Sequence, residues 1–261
     1  MRFTAPWPIW AWGGRSSDSS VKNNRKPLEM RVAILGDIHG NAAALHAVLD
    51  AARNDGVEKL LVTGDLVGYY FSPCTVLELL EPWDKCIVRG NHEAMLAEAR
   101  VSSLRLADIE ARYGSGIRVA LDELSDAQLD GLCELPHPMH VMIDACAILL
   151  CHGAPWNLDE YIYPDAPQGI VERCIGEARD IVITGHTHYP MLRQIGKRVL
   201  VNPGSVGQPR DRQPGAAWAL LDSVSGEISL RREYYDMQPL IEEARRRHPE
   251  LPYLAEVLCR T

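Results

Sequence analysis

The sequence lacks three features that would point to other classes of protein: an excess of basic residues, a Cys-x-x-Cys motif and internal repeats. Its 27 lysines and arginines stand against 35 aspartates and glutamates, and the resulting formal net charge of −8 argues against nucleic acid as the main partner. The seven cysteines show no metal-binding or redox spacing. We therefore predict buried, reduced thiols in a reducing compartment, which favours a cytoplasmic location.

We expect neither a secretion signal nor a membrane span in the N-terminal segment. Prolines and tryptophans interrupt the apolar residues near the N-terminus, no small-residue cleavage site follows them, and the stretch is too short to cross a bilayer. We interpret residues 1–29 as a flexible extension, with a tryptophan segment that binds a partner as the alternative. Because no linker composition occurs after residue 30, residues 30–261 are predicted to form one domain.

What the chain does contain is a series of short apolar runs that end at glycine. The first, Arg31–Leu35, is apolar on both faces, as expected of a strand buried in a parallel sheet. Asp37 and His39 follow it, and Asn41 is the predicted N-cap of a helix over Ala42–Ala52. Ligands bind at the carboxyl ends of strands in open α/β sheets, so we expect the acid and the imidazole to lie there.

The same junction recurs along the chain. Four further apolar runs are followed by residues of the same types: Asp65, Asn91 with His92, His152, and His186 with His188. Glycine beside each of these positions lets the backbone bend and pass close to whatever the side chains hold. We therefore expect these side chains to converge.

The order of elements predicts the fold class. Strands with helical crossovers come first, and antiparallel hairpins follow from Met191 onward. This order predicts an α/β fold with two mixed sheets face to face and helices outside, a four-layer α-β-β-α sandwich. Residues 93–139 have no strand pattern and are predicted to form a helical cap insertion, with one helix over Glu93–Tyr113. The cap either only packs against the strand ends or forms a wall of the substrate pocket. A further helix is predicted over Pro164–Ala178.

The residue types at the strand ends favour a metal site. Carboxylate, imidazole and amide ligands without thiolates suit Mn, Fe, Ni, Co or Zn better than a structural zinc. Seven ligands are too many for one ion, but with one shared carboxylate they suit two ions about 3.5–4 Å apart.

Five motifs follow one another along the chain: GDIHGN, GDLVGY, GNHEAM, CHG and GHTH. In this order and spacing they resemble the motifs of the calcineurin-like metallophosphoesterase superfamily. The segment Asn202–Arg210 is similar to the closing motif of its small prokaryotic phosphodiesterase/phosphatase branch.

The resemblance implies a role for each candidate residue. Asp37, His39 and His188 would hold a first divalent metal, Asn91, His152 and His186 a second, and Asp65 would bridge both. His92 would be catalytic, as a proton donor or transition-state stabiliser, and would bind substrate together with Asn91 and Arg210. Manganese is the favoured metal, with Fe, Ni, Co, Zn or Mg as alternatives, and a hydroxide bridging the two metals would attack phosphorus in line.

One departure separates this chain from the superfamily's protein serine/threonine phosphatases. They continue the second motif with Asp-Arg-Gly, where this chain has Gly68-Tyr69-Tyr70, so His92 lacks their carboxylate partner. We therefore expect hydrolysis of a small phosphodiester or nucleotide-type phosphate ester. A phosphatase-like phosphomonoesterase, a nuclease and a non-catalytic metal-binding scaffold are the alternatives. The expected partner is a small phosphorylated substrate. We expect no association with a membrane, and the sequence is compatible with a homo-oligomer.

Overall fold

The computed structural model describes residues 30–176 and 180–261, so the predictions for residues 1–29 lie outside it. Its strands are β1 Arg31–Leu35, β2 Lys59–Val62, β3 Asp84–Ile87, β4 Met139–Ile143, β5 Cys146–Leu150, β6 Ile181–Ile183, β7 Met191–Ile195, β8 Arg198–Asn202, β9 Ala216–Asp222 and β10 Ile228–Glu233. Its helices are α1 Ala42–Asn54, α2 Pro73–Leu80, α3 Asn91–Val101, α4 Ser103–Tyr113, α5 Gly116–Glu123, α6 Asp126–Cys133, α7 Gln168–Gly176, α8 Gln238–Arg247 and α9 Tyr253–Cys259.

The strands form two mixed sheets of five strands each. The first has the order β10-β9-β1-β2-β3, in which β1, β2 and β3 are parallel, β9 pairs antiparallel with β1, and β10 pairs antiparallel with β9. The second has the order β4-β5-β6-β8-β7, with three parallel central strands and an antiparallel strand at each edge. The predicted α/β sandwich of two mixed sheets with helices outside is confirmed.

Strand β1 explains why the layers stack in this way. Its side chains alternate, so that Val32 and Ile34 pack between the two sheets while Ala33 and Leu35 face the helices outside. All four side chains are fully buried. A strand covered on both faces reads as a continuous apolar run, which is the pattern that the sequence shows.

The helices begin and end differently from the prediction at several points. Helix α3 starts at Asn91 rather than at residue 93, and it stops before Ser102, whose extended backbone separates it from α4. The Ser102 side chain accepts the Arg105 N–H at 3.3 Å and so caps the new helix. The helix predicted from Pro164 begins instead at Gln168; its predicted end at residue 178 lies outside the described residues.

Two features complete the fold. Helices α3–α6 fill the segment predicted to be the cap, and the sequence reasoning did not predict α8 and α9. These last two helices pack against Tyr69, Tyr70 and Phe71, next to the second motif. In the part of the chain that the structure describes, no helix combines the length and apolar character needed to cross a bilayer.

Candidate metal centre

The site residues predicted from the sequence come together at the carboxyl ends of strands from both sheets. They follow β1, β2 and β3 in the first sheet and β5 and β6 in the second. All seven side chains predicted as ligands are buried there: Asp37, His39, Asp65, Asn91, His152, His186 and His188. The stacking of the sheets therefore brings residues from five separate chain segments to one edge.

The backbone is strained at this edge. Eight non-glycine residues in the described chain have left-handed backbone, and six of them lie here: Asp37, His39, Asp65, Tyr69, His186 and His188. Such a conformation costs about 1–3 kcal/mol per residue and persists only where the surroundings impose it. Its concentration at one place marks a functional site.

A first cluster joins residues from both sheets around one point. His39 Nε2 and His188 Nε2 lie 3.1 Å apart. Asp65 Oδ2 is 3.6 Å from His39 Nε2, and Asp37 Oδ1 is 3.5 Å from His188 Nε2. Each of the four residues offers one ligand atom such that all four atoms lie within 4.8 Å of one another, a spacing that could surround a single ion.

A second cluster lies beside the first and shares Asp65 with it. His152 Nε2 and His186 Nδ1 are 3.1 Å apart, and Asn91 Oδ1 is 2.8 Å from His152 Nε2. Asp65 Oδ2, the oxygen that faces His39, is also 3.5 Å from His152 Nε2. One carboxylate oxygen is thus within reach of both clusters.

Backbone carbonyl groups fix the tautomers of the four histidines. The donor and acceptor pairs are His39 Nδ1 with Val67 O (3.2 Å), His188 Nδ1 with Gln208 O (2.6 Å), His152 Nδ1 with Thr63 O (2.8 Å) and His186 Nε2 with Asp159 O (3.2 Å). A neutral imidazole has a single N–H, so the other nitrogen of each ring carries a free lone pair. Four lone pairs therefore point into the site.

The electrostatics of the site call for a cation. Burial lowers the pKa of His39, His152 and His188 well below the ordinary value, and it lowers the pKa of His186 to about 4. Neutral rings whose lone pairs face each other at 3.1 Å repel one another unless a cation lies between them. The buried Oδ2 of Asp37 also has no hydrogen-bond partner. Oxygen and nitrogen donors without thiolates fit Mn, Fe, Co, Ni or Zn.

The position of Asp65 is set by its neighbours on α3. The Asp65 Oδ1 atom accepts the backbone N–H of His92 at 2.8 Å, which leaves Oδ2 facing both clusters. A Cβ at Gly90 would lie only 2.1 Å from Asp65 Oδ1. Glycine is therefore required at this junction for the carboxylate to approach the start of the helix.

His92 lies beside the two clusters without joining either. Its ring centroid is 4.6 Å from that of His39 and 4.7 Å from that of Tyr69. Its buried Nδ1 has no hydrogen-bond partner, and a Cβ at Gly68 would come within 2.0 Å of that atom. The residue of the GDLVGY motif that lies against His92 is thus a glycine, and no carboxylate of that motif bonds to the ring.

Arg210 is half-buried at the edge of the site, not on the open surface. Its Nη2 donates to Tyr69 OH and to Gln208 Oε1, both at 3.1 Å, while its Nε is buried without a partner. These two neutral groups are its hydrogen-bond partners among the described residues, and it forms no direct ion pair there. A guanidinium held near the metal clusters without a direct ion pair is suited to bind an anion.

Comparison with known proteins identifies the family to which this arrangement belongs. The family model of the calcineurin-like phosphoesterase superfamily domain matches residues 30–226, which include all seven clustered side chains and His92. The chain belongs to the calcineurin-like phosphoesterase superfamily.

Its relatives within the superfamily include phosphodiesterases. An uncharacterized protein of Methanocaldococcus jannaschii is 29% identical over 238 residues, 84% of this chain and 94% of that protein. The phosphodiesterase YfcE of Escherichia coli is 26% identical over 209 residues, 77% of this chain and 92% of YfcE. The crystal structure of a metallophosphoesterase from Sphaerobacter thermophilus matches with a TM-score of 0.70 at 26% identity, over 89% of this chain and 99% of that one. The chain is therefore a metallophosphoesterase-type hydrolase of the small prokaryotic branch.

Glu93 is a site residue of this phosphoesterase that the sequence reasoning missed. It is fully buried, and its carboxylate accepts the backbone N–H groups of Gly90 (2.9 Å), Asp65 (2.8 Å) and Leu66 (2.7 Å). It thereby ties the second motif to the start of α3. The available signal was an acidic residue three positions after the helix N-cap, a position at which side chains bond back to the backbone.

Two tyrosines that are not among the predicted site residues also lie against the clusters. Tyr161 stacks on His186 with ring centroids 3.9 Å apart, and it is 47% exposed. Tyr113, at the end of α4, lies 5.6 Å from His92 and 5.8 Å from Tyr69. Helix α4 thus contacts the site directly. The sequence offered no periodic signal for these contacts, because each residue lies at the end of a helix or in a loop.

Proposed function

We propose that the protein hydrolyses a small phosphodiester or nucleotide-type phosphate ester with the help of two divalent metal ions. The single observation that carries the proposal is the pair of clusters that share Asp65, in which unprotonated imidazole nitrogens face each other at 3.1 Å. Such an arrangement fits two ions with one shared carboxylate.

The proposed ligands follow the two clusters. Asp37, His39 and His188 would hold one ion, Asn91, His152 and His186 the other, and Asp65 both. When bound, the ions would act as Lewis acids on phosphoryl oxygens and lower the pKa of water to supply a nucleophile near neutral pH. Because five of the seven ligands are neutral, the ligand set leaves the centre positively charged on an otherwise acidic protein, which favours a phosphate ligand. We propose manganese as the native metal and a cytoplasmic location.

His92 is proposed to stabilise the leaving oxygen. Burial and the positive charge of Arg210 lower the pKa of His92 to about 3, so its ring is neutral at pH 7. A neutral ring stabilises developing negative charge by donating a hydrogen bond, and it does not act as a cationic acid. Replacing His92 with Ala should lower kcat and leave the metal content unchanged.

Arg210 and Asn91 are proposed to bind the substrate phosphate. The guanidinium has no carboxylate partner in the described chain, and its free N–H groups match the oxygens of a phosphate. Asn91 has a side-chain amide whose Oδ1 faces the second cluster. Its N–H₂ group therefore remains available for a phosphoryl oxygen.

The experiment that tests the function uses the full-length protein. The protein is stripped of metal, reloaded with Mn²⁺ or Zn²⁺, and assayed with bis-p-nitrophenyl phosphate and with p-nitrophenyl phosphate. We expect faster hydrolysis of the diester and no activity in Asp65→Asn. Preference for the monoester would favour the phosphatase alternative, and a loaded protein that leaves both esters intact would contradict catalysis and favour the scaffold.

Residues 30–261 are proposed to be sufficient for this activity. The family match begins at residue 30, and every residue assigned a role lies after it. Deleting residues 1–29 should leave kcat within about twofold of that of the full chain. A large loss of kcat would assign the N-terminal segment a part in catalysis.

A further inference from the structure

Tyr69 joins three parts of the site that are far apart in the sequence. Its ring centroid lies 4.6 Å from that of His39 and 4.7 Å from that of His92. Its hydroxyl oxygen accepts a hydrogen bond from Arg210 Nη2 at 3.1 Å. The side chain is 7% exposed, and its backbone has a positive φ of 54°. A bulky non-glycine residue in this strained conformation points to a functional constraint.

The hydrogen-bonding capacity of this pair is only partly used. A phenol both donates and accepts, and it keeps its proton at neutral pH. Tyr69 uses its oxygen to accept from Arg210, whereas its hydroxyl hydrogen has no acceptor among the described residues. Arg210 has a buried Nε without a partner, and among the described residues its guanidinium bonds to neutral groups and forms no direct ion pair. Two donors are therefore left unused beside the metal clusters.

We propose that Tyr69 and Arg210 form an anion clamp in which the Tyr69 hydroxyl holds the guanidinium and donates its own hydrogen to a phosphoryl oxygen of the substrate. The proposal rests on the proposed function, since the anion is the phosphate that the enzyme hydrolyses. Tyr69 stands within the segment where the superfamily's protein phosphatases have Asp-Arg-Gly. The clamp would supply from Arg210, outside that motif, the positive charge that the motif itself lacks.

The surrounding packing keeps Tyr69 in place. A Cβ at Gly116 would lie 2.6 Å from the Tyr69 backbone nitrogen, so α5 of the cap lies directly against it. On another side, apolar residues of α8 and α9 pack against Tyr69 and its two successors. Helices α8 and α9 lie beyond residue 226, where the family match ends. The clamp thus depends on elements outside the matched region.

The test compares two neighbouring tyrosines that differ in what their hydroxyl groups contact. Tyr69→Phe removes the hydroxyl from the clamp and keeps the ring. Tyr70→Phe is the matched control, since it removes a buried hydroxyl that donates to Leu254 O. In the manganese-loaded enzyme, Tyr69→Phe should lower kcat/KM for bis-p-nitrophenyl phosphate about tenfold, as expected for the loss of a hydrogen bond to a charged group. Tyr70→Phe should change it less than twofold.

Binding of inorganic phosphate gives a readout that does not depend on turnover. By calorimetry, the Kd for phosphate should rise about tenfold in Tyr69→Phe and stay within twofold in Tyr70→Phe. Metal content should be unchanged in both, which separates loss of the clamp from loss of the metal centre. When Arg210→Gln is already present, adding Tyr69→Phe should raise the Kd for phosphate less than threefold, because the two residues act as a unit.

Two outcomes would overturn the proposal: equal effects of the two Tyr→Phe variants on phosphate binding, or additive effects of Tyr69→Phe and Arg210→Gln. Failure of the proposed function looks different. In that case the unchanged, metal-loaded protein would hydrolyse neither ester, while the phosphate titration would still report on the clamp.

Discussion

Substitution of Glu93 by Gln tests whether this buried carboxylate organises the metal centre. The two Glu93 oxygens divide their hydrogen bonds: Oε2 accepts from Asp65 N and Gly90 N, while Oε1 accepts from Leu66 N at 2.7 Å and, more weakly, from Val67 N at 3.4 Å. A glutamine has one acceptor oxygen, so it can keep the first pair only by turning its N–H₂ group toward Leu66. That contact changes from an attraction to a donor facing a donor.

The size of the effect follows from these contacts. Loss of a hydrogen bond to a charged group costs about 1.5–3 kcal/mol, and the stranded N–H adds about 1–3 kcal/mol. One contribution offsets part of this loss of stability. The pKa of Asp65 is raised mainly by burial and, second, by the negative charge of Glu93. Removing that charge relieves repulsion in the metal-free protein. A metal-loaded centre already neutralises Asp65, so the loss should appear there nearly in full, at about 3 kcal/mol.

The assay is thermal unfolding of the protein with and without metal. At about 2–4 °C per kcal/mol for a chain of this size, Glu93→Gln should lower the Tm of the metal-loaded protein by about 6–12 °C. The decrease should be smaller in the metal-free protein, and the variant should bind manganese more weakly. Glu98→Gln on the same helix is the control; its exposed carboxylate pairs with Arg105 at 2.6 Å, and surface pairs contribute about 0–1 kcal/mol. If Glu93→Gln has the same Tm as Glu98→Gln and binds manganese as tightly as the unchanged protein, the reasoning is wrong.

Three further predictions concern the same site and its supports. Gly90→Ala should sharply reduce metal content while the protein still folds, because the new Cβ would lie 2.1 Å from Asp65 Oδ1; normal metal content by elemental analysis would refute this. Metal affinity should increase as pH rises toward about 8, since burial raises the pKa of Asp37 to about 8 and binding must displace its proton. Calorimetry in buffers of different ionisation enthalpy measures that proton release, and its absence would count against the prediction. His248→Ala removes the acceptor of two hydrogen bonds from the start of α5, at 3.0 and 2.8 Å, and should lower Tm by about 4–8 °C without changing metal content.

Much of the fold was predictable because its signals are local. Strand β1 is a short run that is buried on both faces, and such runs appear in a sequence as uninterrupted apolar residues. Boundaries were less predictable. The apolar pattern from Glu93 to Tyr113 is compatible with one continuous helix. Ser102 interrupts it, because its backbone is extended and its side chain caps a separate helix, α4.

Local sequence was enough to predict which side chains stand at the strand ends, because a strand, a glycine and a ligand-type residue are neighbours in the chain. That these side chains converge is observed, while their role as ligands stays a prediction. The grouping of these side chains around Asp65 arises from the packing of the two sheets, and so does the contact between Tyr69 and Arg210, which are 141 positions apart. Contacts of that kind depend on how whole sheets and helices pack, and no periodicity or short motif in one segment encodes the position of another. The bonds that Glu93 accepts from Asp65 and Leu66 are of the same kind, whereas its bond from Gly90 is local and follows from its place at the start of α3.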